Sequence, residues 1–183
     1  PYVSAFYFVF AILLFISQKK STVVSHKRKD KLSLMVDTGD ATLAFGELCV
    51  TAAILEYISY KTGYTSPYQL KSPEYFSEYL FCIMNFAFTA FYEETVYRFY
   101  LPSAFTELFS KIKDYKYTDS ISECFTVILF ALAHSYLGIP AVINAAAGCV
   151  ILRSCYLKTN SIYTNTSAHF LYNLFVVFIF RQA

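Results

Sequence analysis

Six long apolar stretches, set apart by short polar or turn-forming segments, constrain this chain more than any other feature. They run Tyr2–Ser17, Ala41–Tyr60, Ser77–Phe105, Ile121–Leu137, Ala141–Leu157 and Ile162–Phe180. A helix that crosses a bilayer needs about 20 mostly apolar residues, and most of these stretches come near that length. Hydrophobic residues make up 56% of the chain and charged residues only 15%. Soluble domains carry about 25% charge, so a disordered chain, a fibrous rod and an ordinary soluble domain are all disfavoured. The pattern predicts an all-α, polytopic transmembrane bundle of about six helices, with any active site between helices inside the membrane. No internal repeat or low-complexity tract interrupts it.

The boundaries follow from turn chemistry and charge. Tyr2–Ser17 lacks a basic segment before it and a small-residue cleavage pattern after it, so it reads as a helix rather than a signal peptide. Lys19–Asp40 reads as a polar loop, and Gly63, Ser66-Pro67 and Ser72-Pro73 mark a turn-rich one. Pro102 is expected to end or kink the third helix. Leu108–Asp119 reads as a polar, Lys-rich connection. Gly138 should stop the fourth helix and Pro140 start the fifth. Two parts follow: 1–76, N-terminal helices and a basic loop, and 77–183, a catalytic core. The chain opens on Pro1, so it reads as a fragment or a processed form.

Loops 18–40, 106–120 and 158–161 fall on one side and hold Lys19, Lys20, Lys27, Arg28, Lys29, Lys31, Lys111, Lys113, Lys116 and Lys158. The other side holds Lys61, Lys71 and Arg181. The positive-inside rule then places the basic side in the cytoplasm and the N-terminus outside. This layout leaves Glu93 at mid-depth or deeper, whereas His134 falls near the outer end of its helix, so the helices must be staggered or differently bounded. A formal net charge of +2 gives no support to nucleic-acid binding. Cys49, Cys82, Cys124, Cys149 and Cys155 lie in apolar stretches with no CxxC spacing and read as small apolar fillers.

Ionisable groups inside a bilayer are costly, so each needs a reason. Glu94 and Arg98 stand four residues apart on one helix face and can pair. Glu93 points about 100° away from Glu94, which leaves one acid free for chemistry. His134 follows Phe130 by one turn, and Phe130 can wall a site beside it. His169 and Asn173 project from one face of the last helix. His26, among lysines, reads as solvated. Glu47 and Glu56 lie on opposite faces of the second helix, one towards the interior and one towards an interface. Asn165-Thr166-Ser167 spells a glycosylation sequon but opens a helix rather than a surface loop, so it reads as a chance match.

These residue types suit hydrolysis. A carboxylate in a low-dielectric site, here Glu93, can act as general base, and His134 can hold and orient water. His169 and the Asn173 amide can donate to a developing oxyanion. Alternatively, Glu93, His134 and His169 form a carboxylate and two-histidine set suited to catalytic zinc. The chain has neither HExxH nor GxSxG, so the common soluble metalloprotease and serine hydrolase motifs are absent.

In order, Glu93-Glu94-x-x-x-Arg98, Phe130-x-x-x-His134 and His169-x-x-x-Asn173 resemble the EExxxR, FxxxH and HxxxN motifs of the intramembrane CAAX protease and bacteriocin-processing family. Its eukaryotic members include the type II CAAX prenyl endopeptidase. Arg98-Phe99-Tyr100-Leu101-Pro102 and the connection Tyr156–Ile162 are also similar. The resemblance implies a membrane endopeptidase in which Glu93 and His134 activate water, His169 and Asn173 stabilise the oxyanion, and Glu94, Arg98 and Phe130 support the site. Family members have been described both with zinc and without a catalytic metal. The implied partners are the lipid bilayer and a membrane-tethered substrate, either a prenylated CAAX protein or a bacteriocin-type peptide. The compact length looks more like a bacterial plasma-membrane protein than one of the endoplasmic reticulum. Two other readings are a non-catalytic scaffold or immunity protein of the same fold, and a proton-coupled small transporter.

Overall fold

A computed structural model describes residues 2–21, 31–65, 73–112 and 117–180, which form helices and short turns. The helices are α1 (Tyr2–Ser21), α2 (Lys31–Thr62), α3 (Phe76–Glu94), α4 (Leu101–Ile112), α5 (Thr118–Ala133), α6 (Ile139–Thr159) and α7 (Ile162–Phe175). A π-helical segment, Thr95–Tyr100, joins α3 to α4 without a break, and another, Val176–Phe180, extends α7. Counting each continuous run once, the described residues form six helical segments and no strand.

Several boundaries differ from the expectation. Pro102 does not end its helix. A proline is tolerated in a helix's first turn, and α4 restarts regular winding one residue earlier, just after the π-helical turn. Segment 18–40 is not one loop, because Lys19 and Lys20 close α1 and Lys31 opens α2. His26, Lys27, Arg28 and Lys29 lie outside the described residues, as do Ser66, Pro67 and Ser72. Helix α4 also runs on through Lys111, so the polar connection is shorter than Leu108–Asp119. Gly138 adopts φ 97°, a left-handed conformation open to glycine, and turns the chain from α5 into α6, with Pro140 in the first helical turn.

The packing ignores the division at residue 76. Ala44 and Leu48 of α2 share a buried cluster with Leu152 and Cys155 of α6 and with Ala168 and Tyr172 of α7. Tyr7 of α1 stacks on Tyr92 of α3 at 4.8 Å between ring centroids, and Phe8 stacks on Phe88 at 4.5 Å. Small residues such as Ala44, Ala168 and Gly148 sit where helices cross, which lets their backbones approach closely. Only Asn160 and Ser161 separate α6 from α7. Asn160 is left-handed at φ 47°, and the Ser161 side chain accepts the Thr164 N–H at 3.3 Å. That tight reversal lays α7 back against α6. All five cysteines are free.

Among the described residues, two helical stretches, Asp37–Thr62 and Ile139–Thr159, are long and apolar enough to cross a membrane. Large apolar side chains also face outward from most helices, among them Phe6, Ile54, Phe81, Leu132, Val150 and Leu171. Such a contiguous apolar exterior marks contact with lipid or with a partner. Glu47 and Glu56 are both exposed, so neither faces the interior.

Gly148 sits at the tightest glycine crossing, where an added Cβ would lie 3.2 Å from Leu48 Cδ2. Gly148→Leu should therefore destabilise the chain by about 1–3 kcal/mol through overpacking. Gly39→Ala, which adds a Cβ into open space inside α2, should stabilise the chain by about 0.5–1 kcal/mol through helix propensity. Thermal unfolding of the two variants in detergent checks both values.

Candidate active site

The site forms where the end of α3 meets α7 and α5. Glu94 is the last residue of α3 and is wholly buried, as is Arg98 one turn later. Arg98 Nε lies 3.3 Å from Glu94 Oε2, an ion pair without hydrogen-bond alignment. The expected pairing is therefore present. Two residues of α7 complete the shell around Glu94. Asn165 Nδ2 donates to Glu94 Oε2 at 3.1 Å and to the Leu152 carbonyl at 2.6 Å. His169 Nδ1 donates to Glu94 Oε1 at 2.8 Å.

Glu93 has a different environment. Its side chain keeps 16% exposure, and its near neighbour is His169 Nε2, 3.5 Å from Oε2. The two adjacent acids thus divide as their 100° separation predicts. Glu94 is sealed among three partners, and Glu93 stays accessible. His169 lies between them with one ring nitrogen towards each.

His134 caps the end of α5, where regular winding gives way to a single 3-10 turn. Its Nδ1 donates to the Phe130 carbonyl at 2.8 Å. A carbonyl only accepts, so Nδ1 carries a hydrogen and leaves Nε2 as the ring's other polar atom. Phe130 is buried, with its ring 4.7 Å from the Arg98 guanidinium carbon and 4.8 Å from the Tyr97 ring. It walls the site as expected and also ties α5 to the π-helical turn. Helix α5 runs antiparallel to α4, with Phe125 against Phe109 and Phe130 against Tyr97. His134 follows one turn beyond Phe130, its ring 4.8 Å from the Phe130 ring.

Asn173 is half-buried, one turn past His169, and its side chain makes no hydrogen bond to the described residues. His169 has only Nε2 left for an oxyanion, since Nδ1 is committed to Glu94. Among the described residues, no three His, Cys, Asp or Glu side chains gather in a way that could hold a metal ion. Of the residues expected for a zinc set, Glu93 and His169 lie side by side, with His169 Nε2 3.5 Å from Glu93 Oε2.

Sequence reasoning missed Asn165 as a member of the site. It is fully buried, so it cannot serve as a glycosylation acceptor. The available signal was its spacing: Asn165, His169 and Asn173 form a polar stripe at one-turn intervals on an apolar helix. Buried polar atoms without partners among the described residues also concentrate here, namely Arg98 Nη2, Asn165 Oδ1 and the Thr95 and Thr166 hydroxyls. Such atoms are rare elsewhere in folded proteins and favour a functional explanation.

A family model described as type II CAAX prenyl endopeptidase Rce1-like matches residues 75–175, more than half of the chain. No curated protein and no solved structure matches it. The matched segment contains every site residue described above.

Removing one member of the buried pair should be far more costly than removing both. Arg98→Met isolates a buried carboxylate and is expected to cost about 3–5 kcal/mol. Adding Glu94→Gln in the same chain should recover at least about 1 kcal/mol of that loss. Unfolding of the single and double variants in mixed detergent measures the coupling, and simple additivity would contradict it.

Proposed function

Because the chain belongs to the type II CAAX prenyl endopeptidase Rce1-like family, we propose that it is an intramembrane endopeptidase. Its substrates would be membrane-tethered, prenylated CAAX proteins, a class the family match favours over bacteriocin-type peptides. In this reading all six helical segments cross the bilayer, and the outward-facing apolar side chains meet lipid. Hydrolysis then occurs between α3, α5 and α7, beside the point where the substrate's lipid anchor holds its C-terminus in the membrane.

The observation that carries the reading is the unequal environment of the paired glutamates. Glu94 is wholly buried, paired with Arg98 and hydrogen-bonded by Asn165 and His169, so it positions the site. Glu93 remains partly open, as a general base requires. A water bound between Glu93 and His134 donates one proton towards the Glu93 carboxylate and the other towards His134 Nε2. As the water oxygen attacks the scissile carbonyl, Glu93 takes its proton, and the carbonyl oxygen becomes an oxyanion. The Asn173 amide, unengaged among the described residues, can donate to that oxygen, joined by His169 through Nε2 when protonated. Glu93 then passes its proton to the leaving amine, and the C–N bond breaks.

Release of the C-terminal tripeptide from a prenylated CAAX peptide, in proteoliposomes, tests the assignment. Glu93→Gln and His134→Ala should each lower kcat by about 10²- to 10⁴-fold, the usual scale of acid–base catalysis. Both variants should keep the thermal midpoint of the parent chain. Undiminished cleavage in either would sink this mechanism. Because His169 is held by the two glutamates, dialysis against EDTA is expected to leave the rate unchanged. A loss restored by zinc would return the metal-bound alternative.

A further inference from the structure

The turn that carries the paired glutamates contains a backbone fault. In an α-helix the Arg98 carbonyl would accept the N–H four residues on, and that residue is Pro102, which has none. The fault coincides with the π-helical segment Thr95–Tyr100, in which the Leu101 N–H reaches back to the Val96 carbonyl. Widened turns of this kind often occur at functional sites. In surroundings poor in water, a carbonyl without a donor is strongly unfavourable, so another group must serve it.

Arg153 of α6 does so. Its Nη1 donates to the Arg98 carbonyl at 2.7 Å. Its Nε donates to Glu123 Oε1 of α5 at 2.8 Å, and its Nη2 donates to the same oxygen. The guanidinium also lies over the Tyr156 ring, 5.4 Å from the centroid. One planar fork therefore joins the π-helical turn, α5 and α6, and Glu123 neutralises it. The residue whose carbonyl it grips is the one whose side chain pairs with Glu94, packs on Phe130 and donates from Nη1 to Cys149 Sγ at 3.3 Å.

We infer that Arg153 is a positioning residue for the Glu93–Glu94–Arg98 segment: it supplies the hydrogen bond that Pro102 withdraws, and Glu123 holds it in place for that task. Arg153 acts through the Arg98 carbonyl and Glu123. It sets the pitch of the turn on which Glu93 faces His169. The inference rests on the proposed peptidase activity for its kinetic consequence, but its structural content stands apart from that activity.

Pro102→Ala restores an N–H to the Arg98 carbonyl and so provides an internal rescue. In the parent chain, Arg153→Ala should lower kcat for tripeptide release about tenfold and leave KM within about twofold, since geometry rather than binding is lost. In the Pro102→Ala background the same change should lower kcat by less than about twofold. The thermal midpoint should show the same coupling, with a clearly smaller drop for Arg153→Ala in the Pro102→Ala background than in the parent chain. Equal effects of Arg153→Ala in the two backgrounds, on both kcat and midpoint, would overturn the inference and leave an ordinary ion pair. A parent chain that releases no tripeptide would defeat the proposed activity instead, while the coupling in midpoint would still decide the role of Arg153.

Discussion

Glu94 and Arg98 are both removed from solvent, and the rest of the molecule is arranged around that fact. Two opposite charges in a poorly polarisable interior attract strongly, but taking them out of water is so costly that the pair alone barely compensates. Further partners are therefore needed, and three helices supply them. Asn165 and His169 come from α7, Cys149 comes from α6, and the Phe130 ring of α5 covers the guanidinium. Each contact fixes the rotation and height of a helix about the pair. A polar cluster of this kind specifies one arrangement of otherwise interchangeable greasy helices.

The same cluster separates two acids that are neighbours in the chain. Had both been sealed, neither could exchange a proton with water; had both been open, repulsion between them would loosen the site. Helical geometry turns one inward and leaves the other at the edge, and His169 spans the two. The widened turn after Glu94 and the fork from Arg153 support this geometry from behind. The backbone irregularity thus lies next to the chemistry.

Much of this was legible in the residues. Glu94 and Arg98 announce their pairing by spacing, and Phe130 announces its place beside His134. The order of motifs pointed to the family to which the chain belongs. Asn165 was hidden by a stronger local pattern, the sequon, although its one-turn spacing from His169 was present. Arg153 was visible only as a charge near a helix end. Its partners, the Arg98 carbonyl and Glu123, are distant in sequence, and a main-chain carbonyl leaves no mark in a residue pattern. The π-helical turn was hidden for the same reason: Pro102 signals a missing donor but does not say whether the helix stops, kinks or widens.

By itself, the sequence determined the helical class, the apolar exterior and the identity of the ionisable residues that must be buried. Those follow from local periodicity and from the high cost of charge away from water, and both are properties of short segments. Only the tertiary structure decided which glutamate is sealed and which stays open, that His169 lies between the two, and that α2 shares the core of α6 and α7. Those outcomes depend on the stagger and rotation of helices far apart in the chain, which are set by packing at Gly148, Ala168 and Phe130 and by hydrogen bonds that form only once the helices are side by side.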